Sequence, residues 1–275
     1  MKTSLFLLTF FFFPSCFSQN FETKINPAGN TVLKRISPPE GYQWIVEPDG
    51  SYGSYLQNLY LLPHKSPILD YTGTPISNQS EHVSIVDLDI GKRDLQQCAD
   101  AVIRVRAEYL FASKSFDDIG FHFTSGDYFA WDQYKQGYRA EVSSNNKVKF
   151  VQKAQPNSTY ASFRKYLDAV YIYAGTISLN KETIPVKEDR NIKSGDIIIT
   201  PGSPGHVVFI IGRAKNAEGK IIFLLAEGYT PAQSIHILTS PFSGVLNPWY
   251  ELSVEDQSIT TARYYFNSVN IRTFK

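Results

Sequence analysis

A cysteine, a histidine and a glutamate in this chain could together carry out nucleophilic catalysis. Cys98 lies in the segment Asp-Leu-Gln-Gln-Cys-Ala-Asp, at the predicted start of an amphipathic helix. His206 follows a loop rich in Gly and Pro and begins an apolar strand, and Glu227 ends the next predicted strand. A thiolate attacks carbonyl carbon, an imidazole can take the thiol proton, and a carboxylate can orient the imidazole. Cys98, His206 and Glu227 are therefore candidate catalytic residues of a cysteine hydrolase.

The start of the predicted helix is a favourable place for a reactive cysteine. The partial positive charge at a helix N-terminus stabilises a thiolate, and the backbone N–H groups there can donate to an oxyanion. Gln97, the preceding residue, is a further candidate donor to that oxyanion or to the substrate. The alternative interpretation is that Cys98 is a small buried residue of the core, because free cysteine is among the most buried residue types.

The turn between the two predicted strands indicates how His206 and Glu227 are related. If the turn centres on Asn216 and Ala217, antiparallel pairing places Glu227 directly across from His206, and a slip of two residues in this register is the alternative. A carboxylate in that position could accept the imidazole N–H and stabilise the protonated ring. In the alternative interpretation, His206 caps its strand and Glu227 is a solvated charge at a strand end.

Residues 1–18 are typical of a secretory signal peptide. Lys2 supplies a positive charge, and residues 5–13 form an apolar run that is too short to span a membrane. Cleavage after residue 18 predicts export to the periplasm or to the extracellular space. A minor alternative makes Cys16 a lipid attachment site. In either case Cys98 is the cysteine that keeps a free thiol.

Composition argues against several other classes of function. The 275 residues carry a formal net charge of +1, which gives no electrostatic case for binding nucleic acid. After the signal peptide, no apolar run is long enough to cross a bilayer, so no transmembrane segment is expected. The sequence contains no CxxC or HExxH zinc spacing, no P-loop and no GxGxxG motif, so no metal or cofactor is expected. The predicted partner is a peptide substrate, and the resemblance described below implies that this substrate is peptidoglycan.

Hydrophobic periodicity predicts helices in the first part of the chain and strands in the second. The helices are predicted at residues 95–113, 127–138 and 158–175, and the strands at 197–199, 207–211, 221–226, 235–238 and 262–266. This order predicts an α+β fold in which helices pack on a central antiparallel sheet. We expect a single domain over residues 19–275, with a β-rich lead-in at 19–90. Asp100 and Arg104 are four residues apart on the first helix, which predicts a solvated ion pair.

The order of these motifs resembles a known family of bacterial enzymes. A cysteine at a helix start is followed far downstream by Gly195-Asp and three apolar residues, and then by Gly205-His206 and five apolar residues. This order is similar to that of the papain-like cell-wall hydrolases of the NlpC type, and the resemblance covers roughly residues 90–240. The usual Asp-Cys-Ser-Gly motif is replaced here by Gln97-Cys-Ala-Asp.

The NlpC resemblance implies both a fold and a reaction. The fold would be a papain-like core over residues 91–275, with helices packed on a central antiparallel sheet. In the reaction, Cys98 would attack an amide carbonyl in a stem peptide of the cell wall and form a thioester. His206 would be the base, and Glu227 would take the place of the polar residue that orients it.

A second resemblance extends over the whole chain. The segments Gly50-Ser-Tyr-Gly-Ser-Tyr-Leu and Pro231-Ala-Gln233 are similar to those of a bacterial family catalogued as a domain of unknown function (4846). That resemblance implies an exported protein but no particular substrate. Two further functions remain open. One is a binding or scaffold protein of the cell envelope that has lost the reaction, and the other is an enzyme that transfers the acyl group to an acceptor.

Overall fold

A computed structural model describes residues 25–145, 147–241, 244 and 246–275 of the chain. The predicted signal peptide at residues 1–18 and the alternative lipid attachment site at Cys16 lie outside these residues. The described part is 22% helical and consists mainly of antiparallel sheet. In this part of the chain, no helix is long and apolar enough to cross a bilayer.

Most helices and strands of the described residues are short. The helices are α1 (Val32–Arg35), α2 (Tyr52–Gln57), α3 (Cys98–Ala112), α4 (Trp131–Lys135), α5 (Tyr160–Tyr171) and α6 (Thr176–Glu182). The strands are β1 (Tyr42–Trp44), β2 (His82–Ile85), β3 (Gly120–His122), β4 (Tyr128–Ala130), β5 (Tyr138–Val142), β6 (Val148–Gln152), β7 (Thr183–Pro185), β8 (Ile197–Thr200), β9 (His206–Asn216), β10 (Ile221–Glu227), β11 (His236–Leu238), β12 (Ile259–Thr260), β13 (Tyr265–Phe266) and β14 (Ile271–Phe274). Cys98 is thus the first residue of α3, and His206 is the first residue of β9.

The described residues are organised around an antiparallel sheet of eight strands. Its strands follow the order β2-β11-β10-β9-β8-β14-β7, and β1 pairs with the second half of β9. The strands predicted at 197–199, 207–211, 221–226 and 235–238 are confirmed as β8, β9, β10 and β11. Long apolar runs between turn sequences identified these strands because both of their faces are buried.

The predicted papain-like α+β fold, with helices packed on a central sheet, is wrong. The chain is mostly antiparallel sheet with few helices. Residues 127–138, predicted as one helix, contain β4, the five-residue helix α4 and the start of β5. A short run of aromatic and apolar residues fits a strand as well as a helix, so the pattern could not separate them.

The two faces of the central sheet are covered by different kinds of structure. Val207, Phe209 and Ile211 of β9 belong to a core that also contains buried residues of α3. Val208 and Ile210 belong to the opposite core, to which the described residues contribute strands and loops but no helix. Because both faces are buried, the strand sequences do not reveal which face lacks helices, and the helices-on-sheet prediction failed there.

The predicted β-rich lead-in before residue 90 contains short helices as well as strands. The stretch 31–36 forms α1, which begins after Thr31, whose side chain accepts a hydrogen bond from the backbone N–H of Lys34. β1 and β2 join the central sheet beside β9 and β11. This region therefore contributes to the sheet that carries the candidate site, while the expected single domain over residues 19–275 stays a prediction.

Helix α3 carries buried polar residues on the side that was predicted to face solvent. The predicted solvated pair of Asp100 and Arg104 is wrong, because both side chains are buried. Arg104 instead donates from Nε to Glu108 at 2.7 Å, and the Asp100 carboxylate accepts from the backbone N–H of Gln97 at 3.2 Å. A buried pair and a solvated pair have the same spacing in sequence, so only the packing around α3 distinguishes them.

Candidate active site

The first turn of α3 packs closely against the end of β10. Cys98 begins α3, and the backbone N–H of Val207 in β9 is close enough to its thiol to act on the pKa of that group. Gly228 follows β10, and a Cβ atom there would lie 2.8 Å from Ala101 Cβ and 3.1 Å from the carbonyl oxygen of Gln97. A glycine at this position therefore allows the helix start to approach the strands closely enough for the thiol to reach them.

Side chains around the helix start hold it against the loop that follows β10. Asp94 accepts from the backbone N–H of Ala232 at 2.7 Å and from Nε2 of Gln97 at 3.0 Å. Oε1 of Gln97 in turn accepts from Thr230 Oγ1 at 3.1 Å. Both ends of the Gln97 amide are occupied by these contacts, and its role as an oxyanion or substrate donor stays a prediction.

The surroundings of the Cys98 thiol favour its protonated form. Burial, and after it the charge of Asp100, raise the pKa of Cys98 to about 11. The backbone N–H groups of Ala99 and Val207 act in the opposite direction, but they do not compensate for burial. The thiol is therefore protonated at neutral pH, and a reaction at Cys98 needs a base that removes the proton.

His206 and Glu227 form a buried hydrogen-bonded pair. Nε2 of His206 lies 2.8 Å from Oε2 of Glu227, and the side chains are 4% and 0% exposed. The contact that was expected between these side chains is therefore present. Because Nε2 faces the carboxylate, Nδ1 is the ring nitrogen left for a second partner.

A β-bulge interrupts the pairing of β9 with β10. Leu224 pairs with Gly212, whereas Leu225 pairs with Ile210. Ile211 is therefore an extra residue on β9, which shifts the register of the following pairs by one position.

The bulge decides whether His206 and Glu227 share a face of the sheet. The predicted direct pairing of Glu227 with His206 is wrong. Beyond the bulge the register places Glu227 opposite Val208, two residues from His206 and on the same face. Without the extra residue on β9, Glu227 would lie opposite Phe209, three residues from His206, and the His206 and Glu227 side chains would point to opposite faces. Diagonal neighbours across a strand pair are close enough for long side chains to meet, which explains the observed contact.

Glu227 has two further neighbours that stabilise its negative charge. Its second oxygen, Oε1, lies 3.5 Å from Nε2 of His236 and 3.8 Å from Nε of Arg263. Burial alone would raise the pKa of Glu227, but the hydrogen bonds and charges of His206 and His236 together lower it to about 2. The carboxylate is therefore ionised at neutral pH and can hold the His206 ring in one orientation.

Arg263 joins several groups around this carboxylate. Its Nη1 donates to Gln233 Oε1 at 2.8 Å and lies 3.3 Å from Nε2 of His236. Its Cζ lies 4.3 Å from the centre of the Tyr229 ring. A guanidinium in contact with an aromatic face and with buried polar groups keeps a fixed position, so Arg263 supplies a stationary positive charge beside Glu227.

Aromatic side chains cover the His206 ring. The ring centres of Tyr264, Tyr229 and Phe266 lie 4.6, 5.0 and 5.9 Å from that of His206. This cover largely excludes bulk water from the imidazole. A hydrogen bond in such a region of low dielectric constant is stronger than the same bond in water, which favours a persistent contact with Glu227.

The structure brings two of the candidate catalytic side chains into contact and places the third beside them. Within residues 25–275 as far as they are described, no hydrogen bond joins Cys98 Sγ to a ring nitrogen of His206. The link between them is the backbone N–H of Val207, the residue after His206. In the same part of the chain, no group of three or more His, Cys, Asp or Glu residues could hold a metal ion. The catalytic roles of Cys98, His206 and Glu227 stay predictions.

Sequence reasoning missed the two residues that surround Oε1 of Glu227. His236 interrupts the apolar run at 235–238, and a titratable residue inside a buried strand is a signal that could have identified it. Arg263 gives no such local signal, because it lies between β12 and β13 and reaches the site only through the fold.

Comparison with protein families finds one family whose sequence profile matches most of the chain. The sequence profile described as "Domain of unknown function (4846)" matches residues 32–273. The chain belongs to this family. Comparisons with curated proteins and with solved structures return no match. The resemblance to NlpC-type hydrolases receives no support from these comparisons, and the sheet-dominated fold contradicts its papain-like architecture.

The region that matches the 4846 family contains the whole candidate site. Cys98, His206, Glu227 and the supporting residues His236 and Arg263 all lie between residues 32 and 273. The family description names no reaction. The geometry of the site is therefore the basis for inferring the function of this 4846-family chain.

Proposed function

We propose that this 4846-family protein is a cysteine-dependent hydrolase of peptide or amide bonds. The observation that supports the proposal most directly is the buried His206–Glu227 pair, 2.8 Å apart, beside the Cys98 thiol at a helix start. An ionised carboxylate that holds an imidazole next to a thiol is the arrangement that nucleophilic catalysis requires.

The proposed reaction proceeds through a thioester on Cys98. Nδ1 of His206 removes the thiol proton as Sγ attacks the carbonyl carbon of the substrate. Backbone N–H groups at the start of α3 donate to the resulting oxyanion, with Gln97 as the candidate side-chain donor. His206 then returns the proton to the leaving nitrogen, and the C–N bond breaks. Water that is deprotonated by His206 hydrolyses the thioester, which releases the acid and restores the thiol.

The raised pKa of Cys98 bears on the timing of proton transfer. A thiol whose pKa is about 11 is protonated before the substrate binds. In the proposed mechanism, proton removal by His206 therefore accompanies the attack of sulfur, as in a serine hydrolase, and no stable thiolate–imidazolium pair precedes it.

We propose stem peptides of the bacterial cell wall as the substrate and the periplasm or the extracellular space as the place of action. The short apolar segment near the N-terminus supports export. A near-neutral chain has no electrostatic bias toward nucleic acid, and a polar peptide substrate is compatible with its net charge of +1.

Digestion of purified peptidoglycan by the mature protein tests the proposal. We expect wild type to release peptide products that chromatography and mass spectrometry identify, and we expect Cys98→Ala and His206→Ala to lose at least about 1,000-fold in rate. His64→Gln is the matched control, because this histidine lies outside the site and its loss leaves the rate unchanged. Full activity in Cys98→Ala would refute catalysis by this thiol. The absence of any product from wild type, on peptidoglycan and on a panel of peptide amides, would refute hydrolysis.

A binding or scaffold protein of the cell envelope is the second candidate. The buried, protonated thiol of Cys98 favours it, because a structural cysteine has these properties. The rate of alkylation by iodoacetamide between pH 7 and 11 separates the candidates. A rate that follows one ionisation near pH 11 and ignores His206→Ala would favour the binding protein. A faster reaction at neutral pH that His206→Ala abolishes would favour the hydrolase.

A further inference from the structure

A cleft of about 540 Å³ lies apart from Cys98, and it contains a second His–Glu pair. Its walls come from the β3–β4 hairpin, from α6, from α3 and from the end of β14. Arg106 in one wall follows Cys98 by eight residues on α3, which is about 12 Å along the helix axis. The volume falls in the range typical of small-molecule sites, about 300 to 1,000 Å³.

The His–Glu pair fixes one nitrogen of His122 and leaves the other free. Nδ1 of His122 lies 3.0 Å from Oε1 of Glu182, and the same carboxylate accepts the backbone N–H of His122. The Tyr128 ring packs on the imidazole with ring centres 4.9 Å apart. His122 is 43% exposed, so Nε2 can reach a molecule in the cleft.

Arg106 provides a positive charge without a carboxylate partner. Its guanidinium lies 4.9, 5.4 and 5.3 Å from the ring centres of Tyr52, Tyr109 and Phe274. Among the described residues, its guanidinium forms no ion pair or hydrogen bond with a side chain. Stacking on aromatic rings holds the guanidinium in place while its N–H groups stay available, which suits recognition of a carboxylate or a phosphate.

The rest of the lining defines what else a ligand must contain. Lys181 of α6 and Lys275 add positive charges, and Asp118 and Glu182 contribute negative ones. Leu110, Phe121 and Phe274 make much of the remaining wall apolar. A ligand that fits these walls has an anionic group for Arg106 and an apolar body for the rings.

We propose that this cleft is a binding site for a small organic anion, a carboxylate or a phosphate monoester with an apolar body. The anionic group accepts hydrogen bonds from Arg106, and the apolar body packs against Phe121 and Phe274. The site is separate from Cys98, so this proposal does not depend on the hydrolase proposal.

Calorimetric titration of the mature protein with benzoate and with phenyl phosphate tests the site. We expect saturable binding of at least one anion, and binding of the neutral analogue benzamide that is at least about tenfold weaker. Binding of benzoate alone identifies carboxylates as the ligand class, and binding of phenyl phosphate alone identifies phosphate monoesters. Absence of saturable binding by both anions, or equal binding of benzamide, would overturn the proposal.

Matched variants locate the bound anion. Arg106→Ala is expected to weaken binding by about tenfold or more, whereas Arg190→Ala, at an exposed arginine on another surface, leaves affinity unchanged. If circular dichroism shows that Arg106→Ala does not fold, the exposed Lys181→Ala replaces it, with a smaller loss expected. Unchanged affinity in the folded variant would overturn the assignment. Cys98→Ala is expected to bind both anions as wild type does, so failure of the hydrolase proposal leaves this result intact.

Discussion

Two His–Glu pairs of similar geometry lie in very different parts of this molecule. His206 and Glu227 approach to 2.8 Å, and His122 and Glu182 approach to 3.0 Å. The first pair is buried on the central sheet under aromatic rings. The second lies between a hairpin and a short helix, where the imidazole is 43% exposed to a cleft. The His–Glu distance is therefore too similar in the two pairs to distinguish their roles. The surroundings of each pair make the distinction.

The surroundings shift the two carboxyl groups in opposite directions. For Glu182, burial raises the pKa, and the hydrogen bonds from His122 only partly counteract it. Burial acts in the same direction on Glu227, but His206 and His236 overcome it and lower the pKa to about 2. Arg263 adds a further positive charge 3.8 Å away. Interactions with two imidazoles and with a nearby guanidinium are what keep this fully buried carboxylate ionised.

This difference indicates what each pair is suited to do. An ionised, inaccessible Glu227 orients His206 permanently, as a base in a proposed active site requires. The exposed His122 keeps one nitrogen available for exchange with a ligand.

Loss of the buried carboxylate is expected to have the largest effect. Glu227→Gln removes the charge that compensates Arg263 and the carboxylate that accepts from His206, so we expect the free energy of unfolding at pH 7 to fall by about 3 to 5 kcal/mol. Glu182→Gln, at the more accessible pair, is expected to cost less than about 1 kcal/mol. Urea unfolding followed by tryptophan fluorescence measures both. Equal losses in the two variants would refute the contrast.

The dependence of the free energy of unfolding on pH below 4.5 tests the ionisation of the same residue. The ionised form of Glu227 contributes stability that is present above the ordinary pKa of 4.5 and is lost as pH falls toward 2. We expect wild type to lose stability across this interval and Glu227→Gln to show less of that loss. If wild type and Glu227→Gln lose the same stability as the pH falls, then the pKa of Glu227 is not lower in the folded state than in the unfolded state.

Replacement of Arg263 is expected to have an intermediate effect. Arg263→Leu removes a charge beside Glu227 and a hydrogen bond to Gln233, so we expect a loss of about 1 to 3 kcal/mol in the free energy of unfolding. Arg263→Lys keeps the charge and is expected to recover part of the loss. Arg190→Leu is the control, because that arginine is 79% exposed and its pair with Glu188 stabilises little. If Arg263→Leu loses no more stability than Arg190→Leu, then Arg263 does not stabilise the ionised form of Glu227.

The smallest effect is expected at Glu182, and its sign is the informative quantity. Because the pKa of Glu182 is raised, the folded state holds this proton more tightly than the unfolded state does. The resulting stability is present below the ordinary pKa of 4.5 and is lost as pH rises through the raised value. The stability of wild type relative to Glu182→Gln should therefore decline with rising pH. A rise over the same interval would mean that His122 outweighs burial.

Part of the candidate site was predictable from the local sequence. The apolar runs around His206 and Glu227 identified both strands, because buried strands are recognisable from composition and length. The expected contact is present, although the predicted register is wrong by the offset that the bulge and the turn introduce. Nothing in the sequence around Ile211 marks it as the extra residue, so the bulge that places Glu227 on the face of His206 was not predictable.

The helices were harder to predict than the strands for a physical reason. α3 was expected from its apolar positions, and Cys98 does lie at its start. The aromatic run at 127–138 satisfies both a helical and an extended pattern, and its tertiary neighbours made part of it a hairpin. The papain-like prediction failed because it assigned helices to a sheet whose second face, in the described residues, is covered by strands and loops.

Local sequence by itself determined where the buried strands lie and that a helix covers Cys98 and the residues after it, although the predicted start at residue 95 is three residues too early. Tertiary structure alone decided the protonation of the site. Burial, Asp100, His236 and Arg263 come together from distant parts of the chain, and they make Cys98 a protonated thiol and Glu227 an ionised acid. Electrostatic effects depend on distance in space and on exclusion of water, and neither quantity is encoded in residue spacing.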